Sequence, residues 1–190
     1  MAVRPVPKVF HVEEYEGMYR AGVVPEDDRL ELINGTIIQM TPIGDRHAES
    51  VGRLTMILAP RLSGRAIVWV QNPVNLSDLS QPQPDLSVLS PRGDFYGEGK
   101  PRPADTLLLI EVADSSLDFD RSVKAPLYAA TGVPELWIVD VGARAIEVYR
   151  VPGPDGYAER RILVAGQERI APEAFRDVEV SVEDVFGAQR

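Results

Sequence analysis

Two acidic residues border apolar runs that predict buried strands. Asp85 precedes the run at residues 86–89, and Glu111 directly follows the run at residues 107–110. A carboxylate at the edge of a buried strand is costly to desolvate unless a partner neutralises it. Two such carboxylates on neighbouring strands predict a cation between them, and Mg²⁺ or Mn²⁺ prefers oxygen ligands of this kind. A cation held in this way can assist phosphodiester hydrolysis.

An aspartate, a lysine and a tyrosine follow at helical spacing. Asp120, Lys124 and Tyr128 are four residues apart, so on one helix they share a face. Pro126 lacks an N–H and is tolerated mainly in a first turn, so the helix is predicted to begin near Ser122 or to be kinked. Lys124 would then lie near a helix N-terminus, where a phosphate is favoured.

Three other polar residues are weaker candidates. Glu31 alternates with Leu30 and Leu32, a pattern that favours an outward-facing polar side chain. His47 begins a predicted helix, and a lone histidine is more often structural or exposed than catalytic. Asp140 ends a predicted strand, but the turn that follows accounts for its residue type.

The elements that must position these residues are mostly strands. Asn34-Gly35 predicts a β-hairpin between residues 30–33 and 36–40, because both turn positions need a positive φ. Helices are predicted at 11–21, 47–62 and 122–131, with a capping box at 181–184 opening a last one. Strands are predicted at 66–70, 74–76, 85–89, 106–112, 135–140, 145–150 and 157–164. These predict an α/β fold of mixed α+β type, in which helices flank a mixed β-sheet with an N-terminal hairpin and a strand-rich C-terminal part.

The composition limits the class of protein. The 190 residues predict one domain over residues 1–190, with residues 1–8 as a loose arm. The absence of cysteine excludes disulfides and thiolate metal sites and fits a cytoplasmic protein. No apolar run is long enough to predict a membrane span. Neither a glycine-rich phosphate loop nor a Gly-x-Ser-x-Gly elbow is present, so the common nucleotide-binding and hydrolase classes are excluded.

The net charge is −9, which argues against a protein that coats nucleic acid nonspecifically. It does not argue against a nuclease, since carboxylates gathered around a metal ion add negative charge that the ion cancels. Basic residues predicted to contact DNA surround the long helix and the 90–105 loop. These are Arg46, Arg53, Arg61, Arg65, Lys100 and Arg102.

An ordered set of short segments resembles a known family. The segments are Glu31 to Gly35, His47, Gln83 to Asp85, Ile110 to Val112, and the run from Asp120 through Lys124 and Tyr128 to Asp140. Their order resembles that of the Uma-type restriction endonuclease family, a bacterial branch of the PD-(D/E)XK nuclease superfamily. Each segment is weak alone, whereas the ordered set is specific and covers nearly the whole chain. The resemblance implies a restriction-endonuclease-like fold.

The resemblance also implies a site. Asp85 and Glu111 would be the metal-binding acids, with the backbone carbonyl of Val112 as a further ligand of Mg²⁺ or Mn²⁺. Glu31 would be an accessory catalytic acid, and Lys124 would orient the attacking water.

The usual superfamily lysine lies two residues after the second acid, where this chain has Ala113. The resemblance implies that Lys124 on the following helix replaces it. Asp120 and Tyr128 would hold Lys124 in place. His47 would contact the metal-binding side chains without binding the metal itself.

The predicted function is that of a metal-dependent endodeoxyribonuclease acting on DNA, as a homodimer and away from membranes. The target stays open, including sequence-specific against structure-specific cleavage and DNA against RNA. The alternative is a catalytically inactive nuclease-fold module that acts as a dimeric binding or scaffold protein. The acidity of the chain and Ala113 favour that alternative, and Trp137, Tyr149 and Tyr157 are its candidate interface residues, unless they pack in the core.

Overall fold

The computed structural model describes residues 6–25 and 28–187. Its centre is a six-stranded sheet in the spatial order β3-β4-β5-β6-β7-β8. The strands are β3 (Ile67–Val70), β4 (Leu86–Leu89), β5 (Thr106–Ala113), β6 (Glu135–Asp140), β7 (Ala145–Gly153) and β8 (Gly156–Val164). All neighbours are antiparallel except β5 and β6, which run parallel. The predicted mixed sheet is therefore confirmed.

Helices cover both faces of the sheet. Helix α2 and the C-terminal α5 pack on one face, and α4 packs on the other. The helical segments are α1 (Val12–Arg20), α2 (Asp45–Leu62), α3 (Leu117–Phe119), a π-helical turn (Asp120–Lys124), α4 (Ala125–Ala130) and α5 (Val182–Phe186), with short 3-10 turns at Pro103–Asp105 and Glu173–Phe175. None of the helices in the described part of the chain is long and apolar enough to cross a membrane.

The alternation of side chains along β5 decides where its acid points. Leu108, Ile110 and Val112 pack under α2, whereas Leu109 and Ala113 pack under α4. Since successive strand residues point to opposite faces, Glu111 shares the α4 face. The eight residues of β5 are almost entirely buried, as the unbroken apolar run predicts.

The N-terminal hairpin folds over this same α4 face. It pairs β1 (Leu30–Ile33) with β2 (Thr36–Gln39), and Asn34 and Gly35 have the positive φ values of 49° and 74° that the prediction requires. Ile33 packs into the core beneath α4. A Cβ on Gly35 would meet the Val9 side chain at 2.2 Å, so the turn also needs glycine for space.

The helical run before β6 corrects the prediction for Lys124. Helical backbone begins at Leu117, not near Ser122, and continues without a break to Ala130. Pro126 is accommodated by the preceding π-helical turn, in which the Ala125 N–H donates to the Asp120 carbonyl five residues earlier. Lys124 therefore lies within a helical run and not at a helix N-terminus.

Several smaller expectations also need correction. Residues 74–76 form no strand, because the Val74 N–H donates to Pro82 and the Leu76 N–H to Ser80 within one loop. The turn predicted at residues 151–156 is shorter, since β7 and β8 extend into it. Ser181 precedes α5 but makes no side-chain cap hydrogen bond, so the predicted capping box is absent. Two-residue strands β9 (Arg169–Ile170) and β10 (Val180–Ser181) were not predicted. Of the predicted N-terminal arm, residues 1–5 lie outside the described residues.

Candidate active site

A cleft of about 270 Å³ opens where the hairpin, the start of α2, the end of β5 and the π-helical turn meet. Every side chain predicted to act in catalysis borders it, together with His47 and Asp120. The lining includes Arg29, Glu31, Thr41, Gly44, His47, Gln83, Asp85, Glu111, Val112, Asp114, Ser116, Asp120 and Lys124. The folded chain thus brings together residues from 93 positions apart, between Glu31 and Lys124.

Asp85 is buried and held by three donors. His47 Nε2 lies 3.0 Å from Asp85 Oδ1, Gln71 Nε2 donates to the same oxygen at 3.3 Å, and the Val112 N–H donates to Oδ2 at 2.8 Å. Burial raises the pKa of Asp85, but these hydrogen bonds and the His47 charge outweigh it, so the net pKa is lowered. Asp85 is therefore held in place as an ionised carboxylate.

Glu111 and Lys124 meet across the cleft floor. Lys124 Nζ donates to Glu111 Oε1 at 3.2 Å, and the Tyr128 hydroxyl donates to the same oxygen at 2.5 Å. Ala113 leaves this region without a lysine of its own. The ammonium group supplied by the next helical run thus contacts the second acid directly.

Burial pulls the pKa values of this pair in opposite directions. Burial raises the pKa of Glu111 well above its usual range, and the attraction of Lys124 only partly offsets this. Burial lowers the pKa of Lys124, but Glu111, Glu31 and Asp120 raise it by more. Lys124 is thus firmly protonated, whereas Glu111 holds a proton more readily than an exposed glutamate.

Glu31 faces the cleft and not solvent, which corrects the expectation from its alternation with leucines. Its side chain is 3% exposed, and Oε1 accepts a hydrogen bond from Lys124 Nζ at 3.0 Å. The face of the hairpin that carries Glu31 lines the cleft and is covered by the π-helical turn with Lys124. Glu31 therefore belongs to the buried cluster with Glu111 and Lys124.

Three polar atoms around the cleft lack partners. Glu31 Oε2, His47 Nδ1 and Asp120 Oδ1 are buried and make no hydrogen bond within residues 6–25 and 28–187. The cleft lining holds five carboxylates against the two permanent cations Arg29 and Lys124. Buried polar groups are nearly always paired, so the unpaired oxygens and the excess negative charge distinguish this cleft from an ordinary protein interior.

The ligand set suits an open metal site. No group of three or more His, Asp or Glu side chains in the described ranges is placed to hold a metal ion. Mg²⁺ does not need three such side chains, because it is usually held by one or two carboxylates and keeps several waters. Asp85 and Glu111 could supply those carboxylates. The carbonyl of Val112 stays a predicted ligand, on a residue whose N–H already fixes Asp85.

The supporting residues act differently from the prediction. The Tyr128 hydroxyl binds Glu111, and Asp120 accepts a hydrogen bond from Ser116 Oγ at 2.6 Å. Neither is hydrogen-bonded to Lys124 in the described structure, so they do not hold Lys124 in the predicted way. Asp120 influences it only through charge. His47 contacts Asp85 and not Lys124 or Glu111 in the described structure.

The basic residues predicted to contact DNA are mostly engaged within the protein. Arg46 pairs with Asp114, Arg53 with Glu49, Arg65 with Asp177 and Lys100 with Glu16, while Arg61 donates to the Glu179 carbonyl. The long helix is therefore not a free basic patch. A DNA strand would have to exchange with these ion pairs.

Sequence reasoning missed Gln71, Arg29 and Ser116. Gln71 has a φ of 49° directly after β3, and its side chain reaches Asp85. The only local signal for Gln71 is that a polar residue, next to Asn72, follows an apolar strand. Arg29 lines the cleft and donates to the Thr41 carbonyl at 2.8 Å, and nothing in the local sequence distinguishes it.

Comparison with solved structures finds a protein with a similar fold. The chain is similar in structure to a protein from Anabaena variabilis ATCC 29413 whose crystal structure is described as "a putative nuclease belonging to DUF820". The two share 18% sequence identity and a TM-score of 0.71, over 96% of this chain and 98% of the other. At that identity the likeness establishes the fold. No curated protein matches the chain.

A family model described as "Uma2: Putative restriction endonuclease" matches residues 12–183. The match includes every residue of the cleft lining and all six strands of the central sheet. The chain therefore belongs to the Uma2 family.

Proposed function

We propose that this protein is a metal-dependent endonuclease that hydrolyses phosphodiester bonds of DNA. The observation that carries the proposal is the convergence of Asp85, Glu111, Glu31 and Lys124 on one cleft with unpaired carboxylate oxygen. Membership of a family described as restriction endonucleases supports the substrate. Such an arrangement joins acids able to hold a cation with a fixed ammonium group.

Each residue has a distinct task in this proposal. Asp85, kept ionised by His47 and the Val112 N–H, and Glu111 hold Mg²⁺ or Mn²⁺, with the Val112 carbonyl as a further ligand. The bound cation supplies a lowered pKa for water and neutralises charge on the phosphate. Lys124 orients the attacking water and stabilises negative charge that develops on the phosphate.

Glu31 and Tyr128 position these groups. Glu31 Oε1 fixes the Lys124 ammonium, and its free Oε2 can accept a hydrogen bond from a water in the cleft. The Tyr128 hydroxyl fixes the Glu111 carboxylate. Because cutting both strands of a duplex needs two sites, the proposal includes a two-fold dimer. The absence of cysteine suits action in the cytoplasm.

Supercoiled plasmid incubated with Mg²⁺ or Mn²⁺ tests the proposal. Wild type should nick or linearise the plasmid, and Asp85→Asn should lower the rate at least about 100-fold, since metal stabilisation is worth several kcal/mol. Asp177→Asn is the matched control, because Asp177 is an exposed aspartate paired with Arg65. That control should keep the wild-type rate.

Equal rates for wild type and Asp85→Asn would overturn the proposal. Metal binding without any cleavage would instead favour the inactive dimeric module. Of the candidate interface residues for that alternative, Trp137 is fully buried in the core. The placement of Lys124 against Glu111 removes one argument for inactivity, since Ala113 does not leave the site without a lysine.

A further inference from the structure

A second cleft lies beside the acidic one. It measures about 340 Å³, within the size range of small-molecule sites, and lies between α1, the hairpin and the 73–83 loop. Its main walls are Tyr15, Tyr19, Leu30, Gln81 and Lys100. Nothing in the proposed reaction uses these residues.

The two clefts lie side by side. Gln83 lines both of them. Strand β1 and the residues before it separate them, since Arg29 and Glu31 line the acidic cleft whereas Asp28 and Leu30 line the second one. This division follows from the two-residue period of extended chain. The shared wall at Gln83 is therefore where one ligand would reach both clefts.

Among the described residues, the charges that line the second cleft are balanced. The two cations Arg20 and Lys100 match the two carboxylates Glu16 and Asp28. Glu16 Oε1 accepts hydrogen bonds from Lys100 Nζ at 2.5 Å and from Gln81 Nε2 at 2.8 Å. The acidic cleft, in contrast, has three more carboxylates than permanent cations. A neutral group therefore suits the second cleft, and a phosphate with its cation suits the first.

Aromatic rings supply the apolar wall. Tyr15 and Tyr19 pack edge to face with their centroids 5.3 Å apart and their planes at 88°. The Tyr15 hydroxyl donates to the Leu30 carbonyl at 2.8 Å, which fixes the pair against the hairpin. Tyr19 is partly exposed in the cleft. A planar, uncharged and polar-edged ligand matches aromatic walls with amide groups beside them, and a nucleobase has those properties.

We propose that the second cleft binds one unpaired nucleobase next to the phosphate held in the acidic cleft. The preferred substrate is then DNA with an unpaired or extruded nucleotide at the cleavage point. This inference rests on the proposed function for the identity of the neighbouring phosphate. A base paired within a duplex cannot enter a cleft of this size, whereas an extruded base can be read in one.

Binding measurements test the inference separately from cleavage. Fluorescence anisotropy would compare a paired DNA duplex with the same duplex carrying one bulged nucleotide, using full-length protein with Asp85→Asn so that neither is cut. The bulged duplex should bind at least about fivefold more tightly, equivalent to ~1 kcal/mol of stacking. Tyr19→Leu should abolish this preference, and Tyr19→Phe, which keeps the ring, should retain it.

Lys100→Met provides a second variant at a partly exposed position, in case Tyr19→Leu does not fold. It should also reduce the preference, because it leaves the cleft with a net negative charge. Equal binding of both duplexes, no binding of either, or an unchanged preference in Tyr19→Leu and Lys100→Met would overturn the inference. Plasmid cleavage without any preference for the bulge would leave the proposed function standing and remove only this inference. A Tyr19-dependent preference without cleavage would remove the proposed cleavage activity and leave the base-binding cleft standing.

Discussion

Buried acidic residues occur in two regions of this molecule, and their hydrogen-bond and ion-pair partners differ between the two. One region is the cleft with Glu31, Glu111 and Asp120. The other lies on β6 and β7, where Glu135 and Glu147 are equally buried. The comparison is useful because both regions bury carboxylates to a similar extent, so the main difference lies in their partners.

Glu147 has a full set of partners. Arg121 donates to Oε1, while the Tyr149 hydroxyl at 2.6 Å and Arg160 at 2.9 Å donate to Oε2. Burial raises the pKa of Glu147, but these hydrogen bonds and the arginine charges outweigh it and leave the pKa lowered. The carboxylate is thus ionised and internally neutralised.

Glu135 is equally well satisfied. Its Oε1 accepts from Arg150 Nη2 at 2.6 Å and from Trp137 Nε1 at 2.9 Å, and its Oε2 accepts from the Glu173 N–H at 2.7 Å. In the cleft, Glu31 and Glu111 share one buried lysine, and one oxygen each of Glu31 and Asp120 has no partner in the described structure. Incomplete pairing of buried acids, and not burial alone, distinguishes the candidate active site from a structural ion-pair network.

Lys124→Met should give the largest effect. It leaves Glu31 and Glu111 buried without their cation, so we expect a loss of about 3 kcal/mol in the free energy of unfolding at pH 8. Cleavage should fall about 100- to 1000-fold, as expected for removing one charge-stabilising group. Urea unfolding followed by tryptophan fluorescence and plasmid nicking measure the two effects.

The double variant Lys124→Met with Glu111→Gln controls for the cause of that loss. Removing the uncompensated carboxylate should restore part of the stability but none of the activity. If the double variant is less stable than Lys124→Met alone, uncompensated charge is not the source of the instability.

Glutamine substitutions should have opposite effects in the two regions. Glu147→Gln removes a fully paired carboxylate and should lose about 2 kcal/mol at pH 8, because hydrogen bonds to charged groups are lost. Glu111→Gln mimics the protonated form that burial favours, so without metal it should be as stable as wild type or more stable.

The pH dependence follows from the directions of the two pKa shifts. The folded-state pKa of Glu147 is lowered, so its stabilisation is present above the usual value of 4.5 and is lost as pH falls. The folded-state pKa of Glu111 is raised, so wild type loses stability relative to Glu111→Gln as pH rises above 4.5. Urea titrations at pH 3 and pH 5 would measure the loss at Glu147, and those at pH 5 and pH 8 would measure the loss at Glu111. Equal losses in both variants would remove the distinction between the regions.

Metal binding should stabilise the folded protein, and the gain should grow with pH. Ionisation of Glu111 must accompany binding, so the rise in Tm with saturating Mg²⁺ should be larger at pH 8 than at pH 5.5. At 100 times Kd the expected gain is ~2.7 kcal/mol, or roughly 5–10 °C for a protein of this size. Glu147→Gln should show the same rise, and Glu111→Gln should show little.

The sequence was sufficient for much of this arrangement. Apolar runs predicted the buried strands beside Asp85 and Glu111, and Asn34-Gly35 predicted the hairpin. Helical spacing correctly placed Asp120, Lys124 and Tyr128 on one buried face. Local patterns suffice for such features because periodicity and turn chemistry act over only a few residues.

Features that depend on distant residues could not be predicted. Glu31 looks like an outer-face residue until the helical run with Lys124 covers it from 93 positions away. In the turn before Pro126 the backbone forms the five-residue hydrogen bond of a π-helix and not the four-residue bond of an α-helix. Tertiary packing decides between the two. The pairing of Arg65 with Asp177 likewise joins residues 112 positions apart. The sequence therefore does not show whether Arg65 is free to bind DNA.

Isothermal titration calorimetry with Mn²⁺ tests most directly the central claim that the cleft with incompletely paired acids holds a cation on Asp85 and Glu111. Wild type and the exposed control Asp177→Asn should each bind Mn²⁺ at this site, and Asp85→Asn and Glu111→Gln should each weaken that binding at least about tenfold. Undiminished binding in both cleft variants would contradict the account.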